Sequence, residues 1–82
     1  MSYLEAIWNI QGGKCYYSGK PMKFDIHNRD TVSIERIDAN YGYIRGNVVL
    51  CRWCINSAKM HYPIDIYLLE CQRITSHMNS KI

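Results

Sequence analysis

Two short apolar segments, separated by a turn-rich loop and followed by a helix-forming segment, constrain the fold of this chain most strongly. The first covers residues 32–37 and carries Glu35 and Arg36 near its end. The second, residues 48–50, is opened by Asn47. Both contain β-branched residues that favour strands, whereas the loop between them is rich in glycine, asparagine and aspartate. Because residues 52–60 then change to helix formers, the order predicted here is strand, loop, strand, helix.

Helices are expected on both sides of this unit. Ser2 and Glu5 form a capping-box pattern, which predicts a helix over residues 3–11 that ends at the glycines after it. Pro63 suits the first turn of a last helix, predicted to run to about Ile74. That helix carries an apolar stripe expected in the core: Ile64, Tyr67, Leu68, Cys71 and Ile74. The fold class predicted is α+β, with an irregular lobe before the first strand.

Length and composition describe one small domain, residues 1–82, whose central motif lies at about 32–60. No apolar stretch approaches the roughly 20 residues of a membrane span, and the N-terminus lacks the pattern of a signal peptide. We therefore expect no membrane partner and a cytoplasmic location. The net charge of +3 permits binding to nucleic acid without establishing it, since the basic residues are spread along the chain.

The cysteines leave two interpretations open. Cys51 and Cys54 have the spacing of half a zinc site, but Cys15 is followed at that spacing by Ser18. A histidine, His27 or His61, could complete a set with Cys15, although no spacing demands it. Buried apolar thiols are the preferred interpretation, and a structural Zn²⁺ on Cys15, Cys51 and Cys54 is the alternative.

The central unit also predicts chemistry. A strand–loop–strand–helix arrangement brings the end of its first strand against its helix, so that Glu35 and Asn56 can offer two oxygen ligands to Mg²⁺ or a similar cation. Asn47 is placed to fix the loop through hydrogen bonds to the backbone. Phosphodiester hydrolysis needs a cation, a base that activates water and a group that holds the base in place.

These residues resemble the HNH, or ββα-metal (His-Me finger), endonucleases. The stretches around residues 34–38, 46–50 and 56–59 are similar to a subgroup that reads S-x-D-R-I-D, G-Y-x-x-x-N-V and N-x-x-K, and residues 14–21 are similar to its K-C-x-x-T-G segment. The resemblance covers roughly residues 10–75. It implies a small ββα-metal finger with flanking N- and C-terminal helices.

The resemblance also implies roles for single residues. Glu35 matches the metal-binding acid, Asn47 the middle asparagine and Asn56 the last metal ligand, while Arg36 stands where the general-base histidine is expected. Because a guanidinium stays protonated, Arg36 is expected to grip the scissile phosphate. Water activation then falls to another group, for which the candidates are Asp38, Tyr43, Tyr41, Tyr17 and His27. The residues expected on the DNA backbone are Arg45, Arg52 and Lys59.

The function expected is a divalent-metal-dependent DNA endonuclease or nickase, of the kind found in phages and mobile elements, acting as a homodimer or in a larger assembly where specificity requires it. The alternative is an HNH-like module that has lost catalysis and binds nucleic acid or a protein. Each site residue also has a plain structural alternative. Glu35 and Arg36 could form an exposed charge pair, Asn47 could be a turn residue, and Asn56 and Lys59 could be solvated.

Overall fold

The two apolar segments pair as antiparallel strands in a computed structural model of the chain. The elements in order are α1 (Tyr3–Gln11), β1 (Val32–Arg36), β2 (Val48–Arg52), α2 (Trp53–Lys59) and α3 (Ile64–Asn79). The strand register sets Glu35 opposite Val49 and Arg36 opposite Val48. The result is a small α+β fold in which a two-stranded sheet leads directly into α2, as the order of apolar and turn-forming segments predicts.

Helix α1 begins and ends where its capping residues predict. The Ser2 hydroxyl accepts a hydrogen bond from the Glu5 backbone N–H at 3.1 Å, and Gly12 ends the helix in the left-handed conformation at φ 66°. The Gln11 side chain then pairs with the backbone of Leu50, donating to its carbonyl at 2.8 Å and accepting from its N–H at 3.0 Å. Through Gln11, α1 is fixed to β2.

The irregular lobe before β1 closes the start of α2. Backbone N–H groups of Trp53 and Cys54 donate to the carbonyls of Thr31 at 2.8 Å and Arg29 at 3.0 Å. The first N–H groups of a helix have no partner within the helix. The lobe therefore supplies the N-terminal capping that the residue before α2, Arg52, does not supply from its side chain.

The core lies between α1, the lobe and β2. Its buried members are Ile7, Cys15, Met22, Val48, Leu50 and Cys51. Cys51 is 0% exposed and Cys15 is 3% exposed, so both thiols belong to the core. Partly buried side chains, among them Trp8 and Tyr17, extend the core at its edge.

Helix α3 departs from the sequence prediction. It runs to Asn79 rather than to about Ile74, and none of its residues is buried. The expectation that its apolar stripe forms part of the core is therefore wrong. Ile64, Tyr67 and Cys71 are half-buried near the body, whereas Ile74 is 62% exposed. The physical reason is that α1, the lobe and α2 already pack against the small sheet, so that α3 extends beyond them.

The structure describes residues 2–26 and 28–81. His27, a candidate for water activation and for a zinc ligand, lies outside these residues. Within them, no helix combines the length and the apolar composition needed to cross a membrane.

Candidate active site

Polar side chains from β1 and α2 meet at the centre of the strand–loop–strand–helix unit. Ser33 and Glu35 lie on one face of β1 because they are two residues apart, and Asn56 and Lys59 lie on one face of α2 because they are three apart. The Asn56 Nδ2 group donates to Ser33 Oγ at 2.6 Å, and Lys59 Nζ donates to Glu35 Oε2 at 3.2 Å. We call these four residues the β1–α2 polar interface.

Glu35 and Lys59 form a buried ion pair. Their side chains are only 9% and 3% exposed. The Lys59 ammonium also lies 5.8 Å from the centroid of the Tyr17 ring, which covers it from the lobe. The position of Lys59 does not fit the expected contact with the DNA backbone, because its ammonium is turned inward and is neutralised by Glu35. In this structure Lys59 holds the carboxylate of Glu35 in place.

Asn56 is oriented by a backbone carbonyl. Its Nδ2 group donates to the carbonyl of Ile34 at 3.3 Å as well as to Ser33. Since a carbonyl can only accept, this contact places the amide nitrogen toward β1 and leaves Oδ1 as the free end of the amide. Among residues 2–26 and 28–81, no donor bonds to Oδ1. The oxygen predicted to act as a metal ligand is thus available beside the Glu35 strand.

Asn47 holds the β1–β2 loop through three hydrogen bonds. Its Nδ2 group donates to the carbonyls of Asp38 at 3.1 Å and Gly42 at 2.9 Å, and its Oδ1 accepts from the Asp38 N–H at 2.9 Å. The side chain is buried, and every polar atom of its amide is engaged. These are the contacts to the loop backbone predicted for Asn47.

Arg36 also reaches across the loop. Its Nη1 group donates to the carbonyls of Ala39 at 3.1 Å and Tyr41 at 3.4 Å, and its guanidinium lies 5.4 Å from the centroid of the Tyr43 ring. Its Nε and Nη2 groups have no hydrogen-bond partner in the part of the chain that the structure describes. The guanidinium is therefore held in place by one nitrogen while its other donors remain open to an anion.

Tyr17 lies next to the ion pair but is poorly suited to water activation. Burial first, and then the negative charge of Glu35, raise the pKa of Tyr17 to about 12. A phenol with that pKa stays protonated near neutral pH, so it can donate a hydrogen bond but does not act as a base. Of the tyrosine candidates, Tyr41 and Tyr43 lie instead on the exposed loop, and Tyr43 contacts Arg36.

The two arginines expected on DNA occupy different environments. Arg52 is bound to Asp30, with Nη2 at 2.7 Å and Nε at 2.9 Å from Oδ1, and its side chain is 12% exposed. The position of Arg52 does not fit the predicted DNA contact, because this pair fixes β2 to the lobe and leaves little of the guanidinium accessible. Arg45 is exposed and lies 4.7 Å from the centroid of the Tyr3 ring. Arg45 remains a prediction for the DNA backbone.

The cysteine thiols lie in different environments. Burial raises the pKa of the Cys51 thiol to about 12. Burial also acts to raise the pKa of Cys15, but hydrogen bonds from the Ser18 side chain and from the Arg52 backbone N–H outweigh it and lower that pKa. Within residues 2–26 and 28–81, no three side chains of the histidine, cysteine or acidic types are grouped so as to hold a metal ion.

A cleft beside the interface brings in residues that the sequence did not single out for catalysis. It has a volume of about 520 Å³ and lies between the start of the β1–β2 loop and the α2–α3 junction. Asp38, a predicted candidate for water activation, lines it together with Lys59, His61 and Asp65. His61 stands two residues after Lys59. Its closeness in sequence to the central motif is the signal from which its position in this cleft could have been predicted.

The donor set fits a hard cation that keeps water ligands, but not a closed metal cage. One carboxylate and one amide oxygen are ligands of the type that Mg²⁺ accepts when substrate phosphates complete its coordination. Among the described residues, Glu35 Oε1 has no hydrogen-bond partner, whereas Oε2 takes the Lys59 ammonium. A cation would therefore be held by Glu35 Oε1 and Asn56 Oδ1.

Comparisons with known proteins add one relative. No protein-family model matches the chain, and no solved structure matches it. The chain is 37% identical over 51 residues to an uncharacterized 29.0 kDa protein in the dda-modA intergenic region of Enterobacteria phage T4. This match covers 62% of the present chain and 20% of the phage protein, so the similarity is to about one fifth of that relative.

Proposed function

We propose that this protein is a divalent-metal-dependent DNA endonuclease or nickase with an HNH-like ββα site. The observation that carries the proposal is the β1–α2 polar interface, in which Glu35 and Asn56 come from adjacent elements and keep one oxygen each free of protein donors. The loop that leads away from Glu35 is fixed by Asn47. A site that holds its ligands before substrate arrives is what electrostatic catalysis requires.

Glu35 and Asn56 would hold the cation, and Lys59 would position Glu35 through their ion pair. A bound divalent cation would neutralise charge on the scissile phosphate and on the leaving oxygen. Arg36 would bind the phosphate through Nε and Nη2, because its Nη1 is engaged with the loop. Asn47 would keep Arg36 and Glu35 aligned by fixing the loop between the strands.

Water activation is assigned to a residue at the edge of this interface. Asp38 and Tyr43 are the candidates that the geometry favours, since Asp38 lines the cleft beside Lys59 and Tyr43 contacts Arg36. Tyr41 and His27 remain predictions. The partner is DNA in the cytoplasm of a host cell, and similarity to a phage protein is compatible with a phage origin.

A nicking assay tests the proposal. Supercoiled plasmid is incubated with the protein and Mg²⁺ or Mn²⁺, and relaxed and linear products are followed on a gel. Asn56→Ala removes one proposed ligand. Glu35→Gln combined with Lys59→Met removes the other without leaving either side chain as a lone buried charge. Both variants are expected to lose at least about 100-fold in rate, since each lacks an interaction with the reacting charge.

The matched control is the pair Glu70→Gln and Arg73→Met, which removes an ion pair on the exposed surface of α3. This control should nick as the wild type does. Nicking that survives the loss of Glu35 and Asn56 in variants of native circular dichroism would overturn the site.

A second function is favoured by two observations, the arginine at position 36 and the ammonium against Glu35. Both place positive charge where a catalytic base and a cation would act. A module that binds nucleic acid without cutting it would have these features. It would show salt-sensitive DNA binding and no nicking at any Mg²⁺ or Mn²⁺ concentration.

A further inference from the structure

The loop between β1 and β2 carries two exposed tyrosines beside the candidate site. Tyr41 is 61% and Tyr43 is 68% exposed. Among residues 2–26 and 28–81, neither of their hydroxyls has a hydrogen-bond partner. Aromatic rings stabilise a fold mainly when they are buried. These two rings therefore contribute little to the core, although they follow Arg36 closely in the chain.

The backbone of this loop is fixed even though its rings are exposed. Asn47 binds it through three hydrogen bonds, and Arg36 Nη1 donates to the carbonyl of Tyr41 at 3.4 Å. Helix α1 fixes the far end of the loop, where the Tyr3 hydroxyl accepts a hydrogen bond from the Gly46 N–H at 2.8 Å. A loop held in this way loses little further conformational entropy when a ligand binds to it, and this favours binding.

Positive charge flanks the two rings. Arg36 precedes them, Arg45 follows them, and residues 39–47 contain no acidic side chain. The Arg36 guanidinium lies against the Tyr43 ring, and Arg45 is exposed. Exposed aromatic rings next to cations are the combination by which proteins bind single-stranded nucleic acid, because bases stack on the rings while the cations attract the phosphates. The loop therefore has the chemistry of a base-stacking surface.

The distance between Arg36 and Tyr43 fits neighbouring nucleotides of one strand. The guanidinium carbon of Arg36 lies 5.4 Å from the centroid of the Tyr43 ring. Successive phosphates of one strand in a duplex are about 3.4 Å apart along the axis, so a phosphate on Arg36 would bring this ring within about two nucleotides of it. In a perfect duplex the bases at these positions are paired and stacked inside the helix. Their faces reach a protein ring at low cost only where they are unpaired.

We propose that Tyr41 and Tyr43 stack on unpaired bases next to the phosphate bound by Arg36, so that the substrate is DNA whose strands are unpaired near the cut. This rests on the proposed function, because DNA is taken as the ligand of Arg36. Stacking uses the faces of the rings and not their hydroxyls, and it tolerates any sequence because every base has a π face. The protein would therefore select its DNA by structure and not by sequence.

Fluorescence anisotropy with two labelled DNAs tests the proposal. One is a perfect duplex of about 20 base pairs, and the other is the same duplex with about three mismatched pairs at its centre. The full chain is titrated in EDTA, which prevents cutting, at about 0.1 M salt. The wild type should bind the mismatched DNA at least about 10-fold more tightly than the perfect duplex, since each stacked base contributes about 5- to 150-fold in affinity.

Three variants separate the rings from the hydroxyls. Tyr41→Leu with Tyr43→Leu keeps apolar side chains but removes both rings, and it should reduce the preference for mismatched DNA to below about 2-fold. Tyr41→Phe with Tyr43→Phe keeps both rings and should keep the preference. The matched control is Phe24→Leu. Phe24 is 78% exposed and lies beside Ile34, on the face of β1 opposite to Glu35, so its loss should leave the preference unchanged.

Three results would overturn the proposal. They are equal affinity of the wild type for the two DNAs, a preference that survives the loss of both rings, and no binding to either DNA up to about 100 μM protein. Absence of binding would mean that the loop faces a protein or solvent. Because both tyrosines are exposed, the leucine variant should keep the wild-type circular dichroism, so that a lost preference reports stacking and not unfolding.

Plasmid nicking separates this proposal from the proposed function. Nicking by a wild type that binds the two DNAs equally would leave the endonuclease in place and refute the stacking. A preference for mismatched DNA that depends on both rings, without nicking, would support the stacking and refute the endonuclease.

Discussion

Removing the charge of Glu35 while keeping its shape is expected to cost the domain a large share of its stability. Glu35→Gln leaves the Lys59 ammonium buried, at 3% side-chain exposure, without a counter-charge. An uncompensated buried charge costs about 3–5 kcal/mol, whereas an 82-residue domain has roughly 4–12 kcal/mol in total. The single variant should therefore lose about half of the free energy of unfolding.

Removing both charges should restore most of that loss. In the double variant, Glu35→Gln with Lys59→Met, no buried charge remains and the methionine fills the space of the lysine stem. Buried ion pairs replaced by neutral side chains are often close to neutral in stability. The two changes are thus expected to be non-additive, with a coupling free energy of at least about 3 kcal/mol between them.

Urea unfolding of the wild type, both single variants and the double variant measures this coupling. Glu70 and Arg73 supply the matched cycle, because their atoms lie 2.6 Å apart but their side chains are 53% and 65% exposed. That surface pair should couple by no more than about 0.5 kcal/mol. A coupling between Glu35 and Lys59 no larger than that of the surface pair would show that burial does not strengthen their ion pair.

Three further predictions rest on single contacts. Asn47→Ala should lower the free energy of unfolding by about 3 kcal/mol, since it removes three hydrogen bonds worth about 1 kcal/mol each. Urea unfolding measures this loss, and a value below about 1 kcal/mol would refute the prediction. Gly13→Ala should lower the melting temperature more than Gly12→Ala. Both glycines are left-handed, but only at Gly13 would a Cβ lie 2.9 Å from the Trp8 ring, and equal melting temperatures would contradict this. The Arg52 guanidinium that donates to Asp30 lowers the pKa of the Asp30 carboxyl. The Asp30–Arg52 pair therefore stabilises the fold above pH 3.8, the ordinary pKa of the carboxyl, and this stabilisation is lost as the pH falls through the lowered pKa. The urea midpoint of Asp30→Asn should therefore fall less than that of the wild type as the pH is lowered. Equal falls in the two proteins would show that Asp30 does not contribute to the pH dependence of stability.

Local signals in the sequence predict most of the secondary structure. Ser2 and Gly12 predict both ends of α1 because each end of a helix needs its own capping chemistry. The apolar segments around Ile34 and Val49 predict the strands, and the turn residues between them predict the loop. The exposure of α3 was not predictable, because the helical spacing of its apolar residues shows that they share one side of the helix without showing whether the rest of the chain covers that side.

The placement of the two asparagines at the candidate site was predictable from the sequence, whereas the burial of its charged side chains was not. Asn47 and Asn56 follow from their positions at a strand start and on a helix, and the structure engages Asn47 as expected. The burial of Lys59 could not be read from its spacing to Asn56, which only shows that the two share a face of α2. The Tyr17 ring that covers Lys59 arrives from a segment distant in sequence, and such non-local contacts leave no periodic signal.

In the proposed site, the ammonium of Lys59 would make cation binding dependent on DNA. Glu35 and Lys59 neutralise each other, so the free protein offers a cation one shared carboxylate and one amide oxygen. Phosphate oxygens of DNA would supply the negative charge that is missing, because Mg²⁺ sites commonly combine one or two protein ligands with substrate phosphates. Binding of the two ligands should then be coupled reciprocally. Calorimetry should find Mg²⁺ binding at least about 10-fold weaker without a DNA duplex than with one, and equal affinities would show that the cation does not depend on phosphate at this site.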